Sequence, residues 1–322
     1  MIASIAAAVA VFYSLSSLAL ALLFILRLRI PGDPPLVPVT LVLPATGALA
    51  GIEDLLDALS DQSLRPHRLI VAVESVIDPA HSRVVALAEL YPQLNIELII
   101  AGLSSLRSQK CTNLLAALAY LRPDDAYVVL LDADIRPQPW WLSSLVGPLA
   151  AGRADLVNGY RWQVPQALTP TITLVAAIDR TIAVLPRLPR LRTIWGGSLA
   201  LSRHAIDTLD LQTTIGRALT EDLPIGDRAA QTGLRVLTRR AVRVPTPLDG
   251  RFRDLWRFGR RQYQLIRLYR PGLWSFAAFV VTSDLIARLV LFSALIAAAT
   301  GASELALPTI LAIACLGSIA TE

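Results

Sequence analysis

The chain has 322 residues, 54% of them hydrophobic, with a mean hydropathy of +0.54 and a formal net charge of +5. This length allows one large domain with a few membrane helices and excludes two large soluble domains. Lys110 is the single lysine among the 30 basic residues; the rest are arginine, which suits phosphate ligands and anionic lipid surfaces. Cys111 and Cys315 lie far apart in the sequence, so no disulfide framework is expected.

The N-terminal segment predicts a membrane helix. Residues 2–26 are uncharged and long enough to cross a hydrocarbon core of about 30 Å. A cleaved signal peptide is the alternative, but no basic residue precedes this apolar run, and Arg27 and Arg29 follow it. We therefore predict a signal anchor over residues 1–29. The positive-inside rule then places the following domain in the cytosol.

Residues 36–250 predict an α/β domain. Short apolar segments alternate with amphipathic segments: strands are predicted over 38–47, 67–75, 95–102 and 126–134, and helices over 52–62, 82–93 and 111–121. Alternation at this pitch predicts a doubly wound, mostly parallel sheet. Ligands of such sheets bind at the carboxyl ends of the strands.

Two carboxylates follow the fourth predicted strand, in "VVLLDADIRPQPWW". Of Asp132 and Asp134, one can hold a hard divalent cation such as Mg²⁺ or Mn²⁺ together with substrate phosphates, and the other can bind a sugar hydroxyl. Two solvated loop aspartates are the alternative interpretation, but the buried strand before them favours a binding site. The three histidines show no metal-ligand spacing.

A second acidic motif is "LTEDLPIGDRAAQTGLRV". Glu221 and Asp222 open a predicted helix that Gly233 ends. The alternative interpretation is purely structural: Thr220 caps the helix, and acidic residues in its first turn favour the helix dipole.

A pair of glycines lies between these two motifs, and a lysine lies before both of them. In "TIWGGSLALSR", Gly196 and Gly197 permit a close approach of the backbone to a ligand, although a tight turn explains them equally well. Lys110 precedes the third predicted helix. An isolated lysine there is usually incidental, yet this one lies on the strand edge that would face a diphosphate.

The C-terminal part of the chain predicts membrane contact. Residues 251–272 alternate seven arginines with aromatic and aliphatic side chains, which is typical of an amphipathic helix on a membrane surface. Residues 273–300 are apolar except for Asp284 and Arg288, which are four residues apart and can pair. The last apolar stretch, 305–320, is short for a full crossing and is either cut short or re-entrant. We therefore predict membrane helices over 273–322.

In this order the motifs resemble membrane-bound inverting glycosyltransferases of family two with a GT-A core. They are most similar to the ceramide glucosyltransferase group and its bacterial relatives, including hopanoid-associated ones. The resemblance covers roughly residues 38–271 and rests on "LPATG", "VESVIDPAHS", "SQKCTNLL", "LLDADIRP", "WGGSLALSR", "LTEDLPIGDRAAQTGLRV" and "RFGRRQYQLIR".

This resemblance implies a GT-A type α/β fold and a metal-dependent, inverting hexosyltransferase. The implied donor is a nucleotide-sugar, UDP-glucose or UDP-N-acetylglucosamine, and the acceptor a ceramide-like or other membrane lipid. The implied location is the plasma (inner) membrane. The protein would cross the lipid bilayer more than once and keep its catalytic domain in the cytosol. No nucleic-acid partner is expected.

The resemblance also implies residue roles. Asp78 would contact the nucleotide with Lys110 nearby, Asp132 would help to hold the donor, and Asp134 would bind the Mg²⁺ or Mn²⁺ that bridges its diphosphate. Asp222 would be the general base that deprotonates the acceptor hydroxyl.

The chain departs from the family pattern at two points. Arg257, Arg260 and Arg261 would neutralise the leaving diphosphate, but arginine replaces the tryptophan of the usual Q-x-x-R-W motif. This replacement puts acceptor stacking at that position in doubt. Gln109 stands where the eukaryotic enzymes carry proline.

Direct displacement at an anomeric carbon needs one base and a stabilised leaving group, which predicts inversion. Two other functions stay open. A processive polysaccharide synthase would carry more membrane helices and the full Q-x-x-R-W motif, and a catalytically inactive membrane scaffold would tolerate loss of the acidic residues.

Overall fold

The computed structural model describes residues 2–26, 35–184 and 193–299. The chain divides into two compact units. The larger contains Leu28–Ala183 and Arg187–Arg251, and the smaller contains Met1–Arg27, Val184–Pro186 and Phe252–Glu322. The predicted segment 305–320 lies outside the described residues, as do Arg27 and Arg29.

The larger unit is built on a seven-stranded sheet with the order β3-β2-β1-β4-β6-β5-β7. Strand β6 is antiparallel to both neighbours, and the other adjacent strands are parallel. The predicted mostly parallel α/β fold is therefore confirmed. The strands are β1 (Thr40–Pro44), β2 (Arg68–Val73), β3 (Ile96–Ile100), β4 (Tyr127–Leu131), β5 (Leu156–Pro165), β6 (Ser198–Ser202) and β7 (Val236–Leu248).

Helices cover both faces of the sheet and make up most of the smaller unit. In the described part of the chain they are α1 (Ile2–Leu26), α2 (Ile52–Ser60), α3 (Pro79–Leu90), α4 (Gln109–Ala119), α5 (Trp141–Ala150), α6 (Pro170–Val184), α7 (Arg203–Leu209), α8 (Leu211–Ile215), α9 (Asp222–Gln231), α10 (Phe252–Tyr269) and α11 (Pro271–Ala299). A short 3₁₀ helix, Pro92–Leu94, precedes β3.

Two hydrophobic clusters form the core of the larger unit, one on each face of the sheet. One cluster packs α2, α3 and α5 against the sheet, and the other packs α4, α7, α8 and α9. Because the central strands are buried on both faces, their sequences are nearly continuous apolar runs.

Local capping explains where two helices begin. Asp78 accepts a hydrogen bond from the Ala80 amide and is followed by Pro79 at the first helical position, so α3 begins earlier than its predicted start at residue 82. Ser108 accepts a hydrogen bond from the Cys111 amide, so α4 begins at Gln109. Lys110 therefore lies in the first turn of α4, and its predicted position before the helix was wrong.

A buried ion-pair network closes the sheet edge at which the parallel strands β1, β2 and β4 begin. Arg68 is completely buried and pairs with Asp125, which also accepts hydrogen bonds from Thr40 and the Arg122 amide. A second nitrogen of Arg68 lies 2.7 Å from a carboxylate oxygen of Glu97. A buried arginine is tolerated because the carboxylates of Asp125 and Glu97 accept its hydrogen bonds.

In the smaller unit, α1 packs against α11. Ala6, Ala7, Ala10 and Ala287 bury the contact, and the hydroxyls of Tyr13 and Ser283 are 2.8 Å apart. Small residues at such a contact allow two helices to approach closely.

Two of the described helices, over Ile5–Leu26 and Pro271–Val290, are long and apolar enough to cross a membrane. Within α11, the predicted pair forms, with Arg288 Nε 2.8 Å from Asp284 Oδ2.

Helix α10 is amphipathic. Leu255 is buried and Phe258, Leu265 and Ile266 are half-buried, whereas the arginines are exposed. Phe252 and Trp256 are exposed and stack on each other, with ring centroids 6.2 Å apart.

Candidate active site

The predicted acidic residues meet at one edge of the sheet. We call the edge at which β1, β2, β3 and β4 end the carboxyl edge. Because β6 runs antiparallel to β4 and Ser198 pairs with Leu131, the two glycines before β6 lie beside the aspartates after β4. The Asp132 amide donates a 3.4 Å hydrogen bond to the Gly197 carbonyl, which fixes this juxtaposition.

One ammonium group links two of the acidic motifs. Lys110 Nζ lies 2.6 Å from Asp132 Oδ1 and 2.6 Å from Glu221 Oε1. The Glu221 side chain is 4% exposed, whereas those of Lys110 and Asp132 are 34% and 25% exposed. Glu221 is therefore buried inside the protein, whereas Asp132 and Lys110 are accessible to a ligand.

The two glycines make room for these carboxylates. A Cβ atom at Gly196 would overlap the Glu221 carboxylate, and one at Gly197 would overlap Asp132 and the Trp195 ring. The spacing of "WGG" therefore has a steric cause in this protein: the backbone of the loop lies against the two acids that hold Lys110.

Mutual electrostatics shift the pKa values of this group. Burial by itself would lower the pKa of Lys110, but Asp132 and Glu221 outweigh it and raise that pKa well above its ordinary value. Burial raises the pKa of Glu221; Lys110 opposes this shift, and the negative charge of Asp222 adds to it. Lys110 is therefore a permanent cation.

Asp222 is held through one of its two oxygens. Its Oδ1 accepts hydrogen bonds from the Thr220 hydroxyl at 2.6 Å and from the Leu223 amide at 2.8 Å. The N-cap of α9 is Glu221, so the predicted capping role of Thr220 was wrong. Over the described residues, both hydrogen bonds go to Oδ1. Oδ2 is therefore the oxygen that is available to accept a proton.

Asp134 is exposed beside this group. Partial enclosure by the protein and the negative charge of Asp132 raise its pKa, while Lys110 and Arg161 oppose the shift. Over the described residues, no three His, Cys, Asp or Glu side chains cluster closely enough to form a complete metal site. A divalent cation would fit Asp134 only if the substrate supplied further oxygens, which is how Mg²⁺ is commonly held.

The segment after Asp134 is fixed by Arg136. Its guanidinium binds Asp54 at 2.9 Å, and its amide donates to the Pro245 carbonyl at 2.8 Å. The side chain of Arg136 also lies over Gly51, where a Cβ atom would come within 2.7 Å of Nη2. These contacts hold the Asp-Ala-Asp turn from the side of α2 and β7.

Strands β5 and β7 continue past the carboxyl edge as a two-stranded ribbon. Asn158 is the last β5 residue paired with β6, whereas the pairing of β5 with β7 runs on to Pro165. Arg161 lies on this ribbon and pairs with the buried Asp179 of α6 at 2.6 Å. The positive charge of Arg161 reaches both aspartates of the Asp-Ala-Asp turn.

Asp78 connects the ends of β1 and β2. Its Oδ1 accepts hydrogen bonds from the Gly47 amide at 2.8 Å and the Ala80 amide at 2.7 Å. This buried carboxylate therefore shapes the loop that follows β1, and its role toward a nucleotide stays a prediction.

The predicted arginines belong to the smaller unit. Arg257, Arg260 and Arg261 are exposed on α10, which belongs to the smaller unit. Arg257 also lies 3.9 Å from Asp254. Their role at a leaving group stays a prediction.

Sequence reasoning missed three functional contacts. It gave Glu221 no site role, it overlooked Arg161, and it treated Gln109 only as a departure from a pattern. The side chain of Gln109 bonds to Gly102, Ser104 and Asn113. No local pattern pointed to Glu221, because its burial and its proximity to Gly196 arise only in the folded chain.

The family match identifies the chain as a glycosyltransferase. The chain matches glycosyl transferase family 21 over residues 2–320 and belongs to that family. Sequence analysis indicated family two; the family that matches is family 21. No match is found among curated proteins.

Solved structures of sugar transferases resemble the chain. A mannosyltransferase from Pyrobaculum calidifontis, in complex with GDP-mannose and Mn²⁺, is 19% identical with a TM-score of 0.58, over 100% of this chain and 93% of that one. Glucosyl-3-phosphoglycerate synthase from Mycobacterium tuberculosis, in complex with Mn²⁺ and UDP-glucose, is 21% identical with a TM-score of 0.44, over 72% and 78% of the two chains. The first likeness supports the GT-A type fold.

Proposed function

We propose that the chain transfers a hexose from a nucleotide-sugar to a hydroxyl group of a membrane lipid, with inversion at the anomeric carbon. The observation that carries this proposal is the bridge from Asp132 through Lys110 to Glu221, which brings the Asp-Ala-Asp turn beside Asp222. The residues that we propose to bind the donor and to act as the base thus lie together at the carboxyl edge, where ligands of such sheets bind.

The charge of the group favours a donor that arrives with a cation. Four carboxylates, those of Asp132, Asp134, Glu221 and Asp222, accompany one ammonium, and the guanidinium of Arg161 is already paired with Asp179. A nucleotide diphosphate alone would be repelled. We propose that Asp134 holds Mg²⁺ or Mn²⁺ together with the diphosphate, and a bound cation would neutralise the charge that develops on the leaving group. The complex of the Pyrobaculum enzyme with Mn²⁺ supports this proposal.

Residues of the chain supply the other steps. The acceptor oxygen forms a bond to the anomeric carbon while the bond from that carbon to the diphosphate oxygen breaks. The hydroxyl proton passes to Asp222 Oδ2, and the nucleoside diphosphate departs. Lys110 stays protonated throughout and counters the negative charge at the donor side. A single displacement of this kind inverts the anomeric carbon.

Membrane attachment favours a lipid acceptor. Two described helices can cross a bilayer, and α10 carries exposed aromatics and arginines on its surface. We propose a multi-pass protein of the plasma (inner) membrane with the larger unit in the cytosol, where UDP-sugars are available. The acceptor proposed is ceramide-like or another membrane lipid, and the donor UDP-glucose or UDP-N-acetylglucosamine.

The proposal is tested with membranes that contain the full chain. They are incubated with each radiolabelled UDP-sugar in Mn²⁺ or Mg²⁺, and the lipids are extracted and separated by chromatography. We expect a labelled glycolipid, and at least about a hundredfold less of it with Asp222→Asn. Label that stays in a water-soluble polymer would favour a polysaccharide synthase, and no transfer of label at all would favour an inactive scaffold.

A further inference from the structure

Five large apolar side chains are exposed along part of the carboxyl edge. They come from the loops after β2 and β3 and from the segment before α9, and we call them the apolar rim: Val76, Ile77, Leu103, Leu106 and Leu219. Their exposed fractions run from 55% at Leu219 to 88% at Ile77. Isolated exposed leucines are ordinary on protein surfaces, but a group confined to neighbouring loops marks a contact surface.

Backbone contacts bring the three segments of the rim together. The Ala101 amide donates to the Val73 carbonyl at 2.7 Å, so the loops after β2 and β3 start side by side. The Ser108 amide donates to the Ala218 carbonyl at 2.9 Å, which places the loop with Leu106 next to Leu219. The rim is therefore one surface.

The middle loop of the rim is held in shape by Gln109. Its side-chain amide donates to the Gly102 carbonyl at 2.8 Å, and its carbonyl accepts from the Ser104 amide at 2.9 Å. The Ser104 hydroxyl also donates to the Arg107 carbonyl at 2.7 Å. A fixed loop cannot turn Leu103 and Leu106 inward, so their exposure is part of the fold.

Two arginines flank the rim. Arg107 follows Leu106 directly, and the exposed Arg217 lies two residues before Leu219. Of the acids in the same loops, Asp78 is buried as a helix cap and Glu74 is half-buried. Apolar side chains flanked by arginine are the composition of surfaces that insert into the interface of an anionic bilayer.

We propose that the apolar rim docks the larger unit on the surface of an anionic phospholipid bilayer, with Leu103, Leu106 and Ile77 in the headgroup layer and Arg107 and Arg217 on lipid phosphates. This inference rests on the proposed function, because it presents the carboxyl edge to a lipid acceptor. The acceptor hydroxyl would then reach the site without leaving the membrane.

The test measures contact with lipid directly. Leu106→Cys is made in the full chain with Cys315→Ser, labelled with an environment-sensitive fluorophore and reconstituted in phosphatidylglycerol nanodiscs that contain nitroxide lipids. Leu90→Cys is the matched control: Leu90 is also highly exposed, at 71%, but ends α3 at the opposite edge of the sheet. Cys111 is buried and, since burial raises its pKa to about 11, should label little.

We expect strong quenching of the label at position 106, weak quenching at position 90, and less quenching at position 106 in phosphatidylcholine nanodiscs. Equal quenching at the two positions would overturn the proposal. So would a response at position 106 to UDP rather than to lipid, which would make the rim part of a donor pocket. A response only to protein concentration, which would indicate a second copy, would also contradict it.

A second measurement links docking to transfer. Leu106→Asp with Leu219→Asp should lower turnover of a lipid acceptor in nanodiscs by on the order of tenfold, while Leu90→Asp leaves it unchanged. Binding of UDP should be the same in the wild type, the double variant and Leu90→Asp. The quenching measurement needs no turnover, so it can fail or succeed independently of the proposed glycosyltransferase activity.

Discussion

Lys110 Nζ lies 2.6 Å from Oε1 of Glu221, an acid whose side chain is almost completely buried. The same nitrogen lies 2.6 Å from Asp132, so a nearly buried acid positions a cation that a substrate can reach. Removal of either partner would leave the other with an unbalanced charge. The ion pair thus connects the stability of the fold with the state of the site.

Lys110→Met should destabilise the larger unit and reduce turnover. Glu221 would lose its partner inside the protein, at a cost of about 2 kcal/mol, or about 5 °C in the thermal unfolding midpoint. Because the double variant Lys110→Met with Glu221→Gln removes both charges, its midpoint should recover part of this loss, without activity. Thermal unfolding in detergent micelles measures the loss in the single variant and the recovery in the double variant.

The control for Lys110→Met is an exposed ion pair. Arg203 and Asp207 lie 3.2 Å apart on α7 and are 40% and 61% exposed. Arg203→Met should cost no more than about 0.5 kcal/mol. If Lys110→Met unfolded at the same temperature as this control, the buried pair would contribute nothing to the stability of the fold.

Gly197→Ala should abolish most transfer activity. The added methyl group would overlap Asp132 and the Trp195 ring, so the carboxylate must move away from Lys110. Gly147→Ala is the matched control, since no atom lies within 4 Å of a Cβ there and alanine favours the helix α5. Initial rates with purified protein should fall only for the first variant, and equal rates would contradict the steric role of the glycine.

Asp222→Asn should reduce kcat by roughly a hundred- to ten-thousand-fold, because the proton acceptor is lost. An amide can still accept the hydrogen bonds of Thr220 and Leu223 through its oxygen, so the start of α9 should be retained. Binding of UDP, measured by calorimetry, should stay near the wild-type value. A variant with normal kcat would assign the base elsewhere.

Asp134→Ala should remove the dependence of UDP binding on Mn²⁺ or Mg²⁺. The cation would be shared between this carboxylate and the diphosphate, and Asp132 is already paired with Lys110. Calorimetry with and without metal, in both proteins, decides the question. Metal-dependent binding that persists in the variant would show that Asp134 is not the ligand.

Asp125→Asn should destabilise the protein in a way that depends on pH. Burial by itself would raise the pKa of Asp125, but the hydrogen bonds from Arg68, Thr40 and the Arg122 amide outweigh it and lower that pKa. A lowered carboxylate pKa gives stability that is present above the unfolded pKa of about 3.9 and is lost as the pH falls through the folded pKa. At neutral pH the variant leaves Arg68 with a weakened partner, at about 3 kcal/mol.

The unfolding midpoints of wild type and Asp125→Asn should therefore differ by a constant amount from neutral pH down to about pH 5, and converge below about pH 4. Asp207→Asn, at an exposed position, is the control and should differ little at any pH. A difference that grew on acidification would reverse the assigned direction of the shift.

Much of the fold could be predicted from the sequence, because the buried strands are continuous apolar runs and the helices between them are amphipathic. The predicted fourth strand contains β4, and α9 runs from Asp222 to Gln231 with Gly233 in the left-handed conformation after it. The predicted starts of α3 and α4 were less accurate, because they depend on Asp78 and Ser108 acting as N-caps.

The site could be predicted only in part. The aspartates are visible because each follows a recognisable element, but the partner of Lys110 depends on β6 running antiparallel, which no local pattern indicates. Arg161 was missed for a similar reason. Its proximity to the Asp-Ala-Asp turn arises because β5 continues past the sheet edge, and its partner Asp179 lies in the next helix.

The antiparallel direction of β6 has a further consequence for how this protein could change over evolution. Strand β5 runs past the carboxyl edge and β6 begins at that edge, so the connection that carries α6 starts and ends beside the site. If Asp179 and the two glycines before β6 are kept, the rest of this connection can change in sequence while every strand pairing and the bridge through Lys110 stay in place. A lineage could thus acquire a new acceptor without rebuilding the part that handles the donor.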